Sequence, residues 1–398
     1  MRIGMISAEY PPAVGGVGDQ TARLAQELVA SGHTVHVVTS AGAPQPRDAG
    51  PGRPRVIRCV SRWDWRILTT LPRLARRGAW DVLHIQYQTA AYGLHPAINL
   101  LPAVARRARD APAIVTTFHD LRVPYLFPKA GPLRRWAVRL LARGSDGIIA
   151  IAEEDLPALL AWTVGAGGRT AVERVPLGNP LEAEPPPDFD RAAWRARLGL
   201  GPSAFLAGHY GFVNRSKAVD ALVEAIALLA ESGREVHLLM LGEEVGSADP
   251  SNRAYLDEVR RLIAAHRLET RVHWTGYQEP AALAAWLRGL DVAVLPFRDG
   301  ASLRRTTLIA AWTHGVPVVT TAPARPVDWL REREAAPALA LPSPQPAVLA
   351  RALLELQDDP ARRVALSAAG RAFAAQFSWP LVARRTLDLY RAARAARR

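Results

Sequence analysis

Pro296-Phe297-Arg298-Asp299-Gly300-Ala301-Ser302-Leu303-Arg304-Arg305-Thr306-Thr307-Leu308, followed by Gly315-Val316-Pro317-Val318-Val319-Thr320-Thr321, reads as the end of a buried strand, a polar loop, a helix and a second buried strand. The spacing predicts the helix over Ser302 to His314. The loop then sits at the C-terminal edge of a parallel sheet with a helix N-terminus opening from it. α/β proteins hold phosphate-bearing ligands there, because free N–H groups and the helix dipole favour anions. Arg304 and Arg305 fall in the first turn of that helix, where the dipole ordinarily prefers acidic residues, and so point to an anionic ligand.

The same strand-then-helix alternation runs outward in both directions. Arg2 to Ala8 is a short apolar strand, Val17 to Ala30 has helical apolar spacing, and Thr34 to Thr39 is again a strand. Val82 to Ile85, Ala113 to Phe118 and Gly147 to Ile151 are continuously apolar, as strands covered on both faces must be. A second series begins at Phe205 to Tyr210 and continues through a helix from Ser216 to Ser232, strands at 235–241, 271–275 and 292–296, and helices between them. Such alternation means βαβ units and parallel sheets. The Pro-rich stretch Pro176 to Pro187 breaks the periodicity and reads as a linker. The expected fold is therefore α/β: two Rossmann-like parallel-sheet domains facing each other across a cleft. Their bounds are 1–180 and 188–378, with a C-terminal helix over 379–398 crossing back to the first domain.

Composition narrows the function. A chain of 398 residues fits two domains. The lone Cys59 excludes a disulfide framework and a Cys-based zinc site, and suits a reducing cytoplasm. No apolar run reaches the roughly 18 to 20 residues of a spanning helix, and residues 1–10 read as a strand rather than a signal peptide. Fifty Lys and Arg against 37 Asp and Glu give a net charge of +13, which favours anionic membranes or phosphorylated ligands. Nucleic acid is not expected, since there is no RNP-like aromatic motif, zinc-finger spacing or long basic tail. No metal is expected either, because no His, Asp and Glu cluster has ligand spacing and no paired-Asp motif is present.

Further candidate residues lie at strand ends. Gly15 and Gly16 in Tyr10-Pro11-Pro12-Ala13-Val14-Gly15-Gly16-Val17-Gly18 permit close backbone approach to a ligand at a helix start, but the stretch lacks the dinucleotide G-x-G-x-x-G spacing. His119 directly follows the strand ending at Phe118, where an imidazole bonds a hydroxyl or carbonyl, with Asp120 to orient it. Lys217, near a helix N-terminus, is disfavoured by the dipole unless an anion lies between them; Arg215 is its neighbour. Glu243 follows the next strand and offers bonds to ligand hydroxyls. Two basic segments, Arg62 to Arg77 with Trp63 and Trp65, and Leu133 to Arg143 with Trp136 and Leu140, have the composition of helices that lie on an anionic lipid surface.

Taken in order, these stretches resemble the family 4 glycosyltransferases, retaining enzymes of the GT-B fold. The residues that carry the likeness are Glu9-Tyr10-Pro11-Pro12, Gly15 to Gly18, Gly32-His33-Thr34-Val35, Asp81-Val82-Leu83-His84, Phe118-His119-Asp120 and Val175-Pro176-Leu177-Gly178-Asn179. Lys217, Thr275-Gly276-Tyr277, Asp291 to Pro296, Gly315 to Val319 and Phe377-Ser378-Trp379 complete it. The resemblance implies a nucleotide-diphosphate sugar held by the second domain and a glycan or lipid-linked acceptor held by the first, with no cofactor. It places the phosphate lysine at Lys217, the glycine loop at Gly15 and Gly16, and the cleft histidine at His119.

The chain departs from the family's pattern at four places. Ser302 and Ala310, eight residues apart, stand where the family has two glutamates. Phe212 replaces an arginine and Ala218 a glycine. Asp299 is then the substitute carboxylate for the ribose, and Arg304, Arg305 or Arg215 the substitute cation. The expected donor-binding set is Gly15, Gly16, Glu243, Asp299, Gly300, Ser302, Leu303, Arg304 and Thr306, and the expected catalytic set His119, Lys217 and Arg215. The setting implied is cell-surface polysaccharide or glycolipid assembly, cytoplasmic or peripheral on the inner face of the plasma membrane. The missing glutamates leave as the alternative a catalytically silent GT-B protein that binds a nucleotide, a lipid or a partner transferase. A GT-B epimerase would need a carboxylate base, for which only Asp120 and Glu243 are available.

Overall fold

Two parallel sheets, each in its own unit, account for the alternation. The computed structural model describes residues 1–13, 15–42, 52–108, 110–121, 132–164, 170–244, 250–332 and 335–397, with backbone alone for 132–134, 250 and 251. One unit comprises residues 1–178 with 377–398, the other residues 179–376.

The first unit runs β1 (Arg2–Ile6), α1 (Gly16–Ala30), β2 (Thr34–Ser40), β3 (Arg55–Val60), α2 (Ile67–Gly78), β4 (Val82–Tyr87), α3 (Ala97–Ala105), β5 (Ala113–Phe118), α4 (Pro132–Gly144), β6 (Gly147–Ala150), α5 (Leu156–Thr163) and β7 (Ala171–Arg174). Its strands lie in the order β3-β2-β1-β4-β5-β6-β7, every neighbour parallel. Alternate residues of β1 feed opposite cores. Ile3 and Met5 pack with Leu24 and Leu28 of α1, whereas Ile6 packs with Leu71 of α2, Leu101 of α3 and Leu141 of α4.

The second unit runs α6 (Arg191–Ala196), β8 (Phe205–Tyr210), α7 (Val219–Glu231), β9 (Val236–Leu241), α8 (Pro250–Ala265), β10 (Val272–Trp274), α9 (Pro280–Gly289), β11 (Val292–Leu295), α10 (Thr306–Thr313), β12 (Val318–Thr321), β13 (Leu339–Leu341), α11 (Pro346–Asp358) and α12 (Pro360–Ala374). The strand order is β10-β9-β8-β11-β12-β13. Both sheets reverse direction of build, at β1/β4 and at β8/β11, and ligands bind beyond the strand ends at such switch points. The last helix, α13 (Trp379–Arg397), belongs to the first unit, where Tyr390, Leu387 and Val382 join the α1 core.

An aspartate precedes a strand three times and accepts the first free N–H of its neighbour: Asp81 from Arg2 (2.8 Å), Asp146 from Ile114 (2.8 Å) and Asp291 from Leu206 (2.7 Å). Each satisfies a backbone donor that the ladder leaves over. Guanidinium groups complete the carboxylates, Arg394 on Asp81 and Arg397 on Asp146 from α13, and Arg191 with Arg195 on Asp291. Burial pushes the Asp291 carboxyl up, but the Leu206 N–H and the two arginines hold it below its ordinary range.

Two helix starts differ from expectation. The helix expected from Ser302 is α10, and it begins only at Thr306. Arg305 (φ −84°, ψ 86°) is its N-cap, the Arg305 N–H donates back to Ser302 O (2.9 Å), and the Ala301 N–H donates to Thr321 O (2.9 Å). These bonds tie the preceding loop to β12, so Arg304 and Arg305 come before the helix rather than in its first turn. Lys217 likewise lies outside the helix predicted from Ser216. Arg215–Lys217 form a 3-10 turn, Ala218 turns left-handed (φ +46°), and α7 starts after it.

Candidate functional site

In the second unit, the loops after the adjacent strands β8 and β11 bring a cationic group together. Gly211 (φ +104°) leaves β8 in a conformation open to glycine, and the chain then turns back so that the Lys217 ammonium packs against it. A Cβ built on Gly211 would stand 2.6 Å from Lys217 Nζ and 3.2 Å from Thr307 Cγ2 of α10. Burial, and then the field of Arg305, push the Lys217 ammonium down to about 8. Among the described residues no carboxylate is paired with it.

His209 lies fully buried within reach of that charge. Its Nδ1 donates to Val294 O (3.2 Å), while Nε2 has no hydrogen-bond partner among the described residues. Burial first, and Lys217 second, hold the ring neutral down to about 3, the Val294 bond only partly opposing them. A neutral ring beside a cation adds no competing charge.

Arg305 carries the other cation. Its Nη2 donates to both oxygens of Asp299 (2.8 and 2.6 Å), and its guanidinium lies 4.6 Å from the Phe297 ring centroid. Gly300 (φ +83°) lets this loop cross the segment just after β12 closely, since a Cβ there would stand 2.5 Å from Pro323 Cα. Thr306 opens α10, the Leu303 side chain is buried in the core and offers a ligand only its backbone, and Ser302 and Arg304 are half-buried between them.

Other expected residues stand apart from this group. Arg215 is 63% exposed, paired with Glu258 (2.6 Å) and stacked over Tyr255 (4.8 Å to the centroid). Glu243 is exposed on the loop after β9. A cavity of about 1060 Å³ lies beside β13, lined by Pro323, Val327, Leu330, Leu339, Val348 and Arg351, and none of the expected site residues lines it.

In the first unit Gly15 caps α1, where any side chain would strike the Glu9 carboxylate 2.3 Å away, and space at Gly16 is open. Burial and then Asp19 raise the Glu9 carboxyl above its usual range. His119 follows β5, and its Nε2 donates to Gln86 Oε1 of β4 (2.8 Å). Gln86 in turn abuts His84, whose two ring nitrogens bond Thr117 Oγ1 (2.7 Å) and Tyr390 Oη (2.6 Å). Burial, then His119, holds His84 neutral down to about 3. Gln20, Gln86, Thr117, His119 and Trp379 line a cavity of about 30 Å³, room for a water rather than a sugar. This chain of contacts was absent from the sequence reading; only the polar residues Gln86 and His84 inside an otherwise apolar strand signal it.

Exposed aromatic and basic side chains stand on or beside α2 and α4. Trp65 is 54% and Trp136 55% exposed, and α4 packs inward through Ala137, Val138, Leu141 and Ala142 instead. Leu140 is half-buried, while the Leu133 side chain lies outside the described residues, as does Arg398 of the last helix. Among the described residues no helix is long and apolar enough to cross a membrane.

Residues 15–178 match the family model described as a glycosyl transferase 4-like domain, and residues 204–359 that of glycosyl transferases group 1. The chain belongs to the GT4 family, and its two switch-point parallel sheets have the architecture of the GT-B fold. It is 28% identical over 266 residues to the D-inositol 3-phosphate glycosyltransferase of Streptomyces avermitilis, a match that covers 65% of this chain and 54% of that protein. It is 27% identical over 413 residues to the phosphatidyl-myo-inositol mannosyltransferase of Mycobacterium leprae, covering 98% and 96%. The chain thus spans about half the length of the first relative and nearly all of the second. Anabaena HepE, solved with UDP and glucose, shares the fold at a TM-score of 0.72, with 17% identity and 98% of both chains covered.

Proposed function

We propose that the protein is a retaining glycosyltransferase that moves a sugar from a nucleotide-diphosphate donor to a hydroxyl of a glycan or glycolipid acceptor. One observation carries the reading: a half-buried Lys217 ammonium closed against Gly211, in the field of a second cation and paired with no carboxylate among the described residues. Arg305 already has Asp299 as counter-ion, whereas Lys217 has none, and a diphosphate would supply one. His119, held by Gln86, bonds a sugar hydroxyl on the first unit, with Gly15 and Gly16 admitting the ligand's close approach.

The chemistry asked of these residues is electrostatic. As the anomeric C–O bond to the β-phosphate breaks, Lys217 and the N-terminal amides of α10 neutralise the charge left on the diphosphate. The acceptor oxygen bonds to the same face of the sugar, and its proton passes to the departing phosphate oxygen. Configuration is retained, and the protein supplies charge and position rather than a nucleophile.

The named relatives support an inositol-bearing or other polyol acceptor on a lipid. Exposed Trp65 and Trp136, with Arg62, Arg66, Arg73, Arg76, Arg77 and Arg135 on or beside α2 and α4, support docking on the anionic inner face of the plasma membrane, in polysaccharide or glycolipid synthesis.

The test is calorimetry of the full chain with a panel of nucleoside diphosphates, followed by incubation with the matching nucleotide sugars. One diphosphate should bind, Lys217→Ala should abolish binding, and the matching donor should be hydrolysed or transferred. Binding without turnover of any donor would support a silent nucleotide-binding protein, and no binding at all would sink the enzymatic reading.

A further inference from the structure

Lys217 alone leaves a diphosphate only part-neutralised, and Phe212 occupies the place where a second cation would follow the glycine of β8. The three arginines nearby are not equivalent. Arg215 is spent on Glu258 and on the Tyr255 ring, largely in solvent. Arg304 precedes the residue that caps α10. Arg305 is itself that cap, two residues from the Thr307 methyl that faces Gly211 and Lys217.

Its guanidinium is 26% exposed, stacked on Phe297 and gripped through Nη2 alone; Nη1 and Nε have no partner among the described residues. The carboxylate that grips it belongs to Asp299, 63% exposed on the same loop. A pair open to water on its acidic side holds weakly and yields to a stronger anion.

We infer that Arg305 is the second cation for the donor diphosphate, and that Asp299 is its resident counter-ion, displaced when the diphosphate arrives. This rests on the glycosyltransferase reading and deepens it: it assigns the charge that Phe212 leaves missing, and it moves Asp299 from the ribose to the phosphates. The exchange swaps one oxyanion for another on the same guanidinium. Asp299 keeps Arg305 aimed, and Lys217 faces one fewer uncompensated charge. A carboxylate competing for the same cation weakens every ligand that needs it, so the site discriminates by ligand charge. A diphosphate displaces Asp299 well, a monophosphate poorly, and an uncharged nucleoside not at all.

The experiment is calorimetry with the nucleoside diphosphate that binds the wild type, its monophosphate and its nucleoside, on Asp299→Asn, Arg305→Ala and the double variant. Asp299→Asn should tighten the diphosphate about two- to fivefold and leave the nucleoside unchanged. Arg305→Ala should weaken the diphosphate about tenfold or more, and in its presence the Asp299→Asn gain should vanish. A gain that persists in the double variant, or an Asp299→Asn change that loosens the diphosphate, overturns the counter-ion role. An Arg305→Ala protein that binds normally while Lys217→Ala does not overturns the assignment of Arg305 and leaves the enzymatic reading standing. If no diphosphate binds the wild type, the enzymatic reading fails first. Asp299 is solvent-facing and Arg305 half-buried, and matching thermal midpoints show that the variants are folded.

Discussion

The Lys217 ammonium fills the space that a side chain at Gly211 would need, with only 2.6 Å between Nζ and a Cβ built there. The two residues are a single device: the glycine's left-handed φ of +104° turns the loop, and its missing side chain lets the half-buried cation close against the backbone that leaves β8.

Gly211→Ala therefore has two costs. The backbone strain destabilises the fold by roughly 1–2 kcal/mol, and the flexible lysine is pushed out of place. Nucleoside diphosphate affinity should fall about tenfold or more, read by calorimetry beside a chemical denaturation curve. Lys217→Ala should lose the affinity without the loss of stability.

The lowered ammonium of Lys217 sets a pH window. Its folded value of about 8 lies below the ordinary 10.5, so burying the charge costs stability below pH 8, and the cost fades as pH rises toward 10.5. Ligand binding runs the other way, because the diphosphate needs the protonated form. Affinity should drop as pH climbs past 8, and Lys217→Arg, always charged, should flatten that drop. A wild-type affinity constant from pH 7 to pH 9.5 would refute the assignment.

Acid acts on a different part of the molecule. His84 and His209 are buried neutral, with folded values of about 3 against an ordinary 6.5. Their stability is fully present above pH 6.5 and is lost as pH falls toward 3, at about 1.4 kcal/mol per pH unit for each. Tyr390→Phe leaves a His84 nitrogen without its 2.6 Å partner and should cost about 1–3 kcal/mol at pH 7, measured by urea unfolding.

His119 belongs to the first unit, so its removal should separate binding from transfer. His119→Ala should leave nucleoside diphosphate affinity within about twofold and lower the transfer rate by about a hundredfold. Equal loss of both would place the residue with the diphosphate rather than with the sugars.

Lipid docking makes a salt-sensitive prediction. The protein should co-sediment with vesicles containing anionic lipid and not with purely zwitterionic ones, and added salt should release it. Trp65→Ala with Trp136→Ala should weaken sedimentation, as should Arg76→Glu with Arg77→Glu, with thermal midpoints unchanged. Vesicle binding indifferent to both pairs would remove this face from consideration.

Much of the fold was legible because strands buried on both faces are apolar without interruption. Every residue of β4 and β5 is buried, and both runs stood out. β3 and β7 did not, since each is an edge strand whose side chains, among them exposed Arg55 and half-buried Arg58 and Glu173, show no clean alternation of buried and exposed positions. Helix starts were misjudged for a related reason. Arg304 and Arg305 are good helix formers, and nothing local announces that the Ala301 N–H is claimed by Thr321 on the next strand.

The amino-acid order alone determined the two βαβ series, the family likeness and the choice of Lys217 and His119, because these depend on periodicity and on short motifs at strand ends. Only the folded chain decided which cation stands beside Lys217, that Asp299 answers Arg305, and that Tyr390 reaches His84 across 306 residues. Charge pairing acts through space over a few ångströms, and distance along the chain carries almost no record of it.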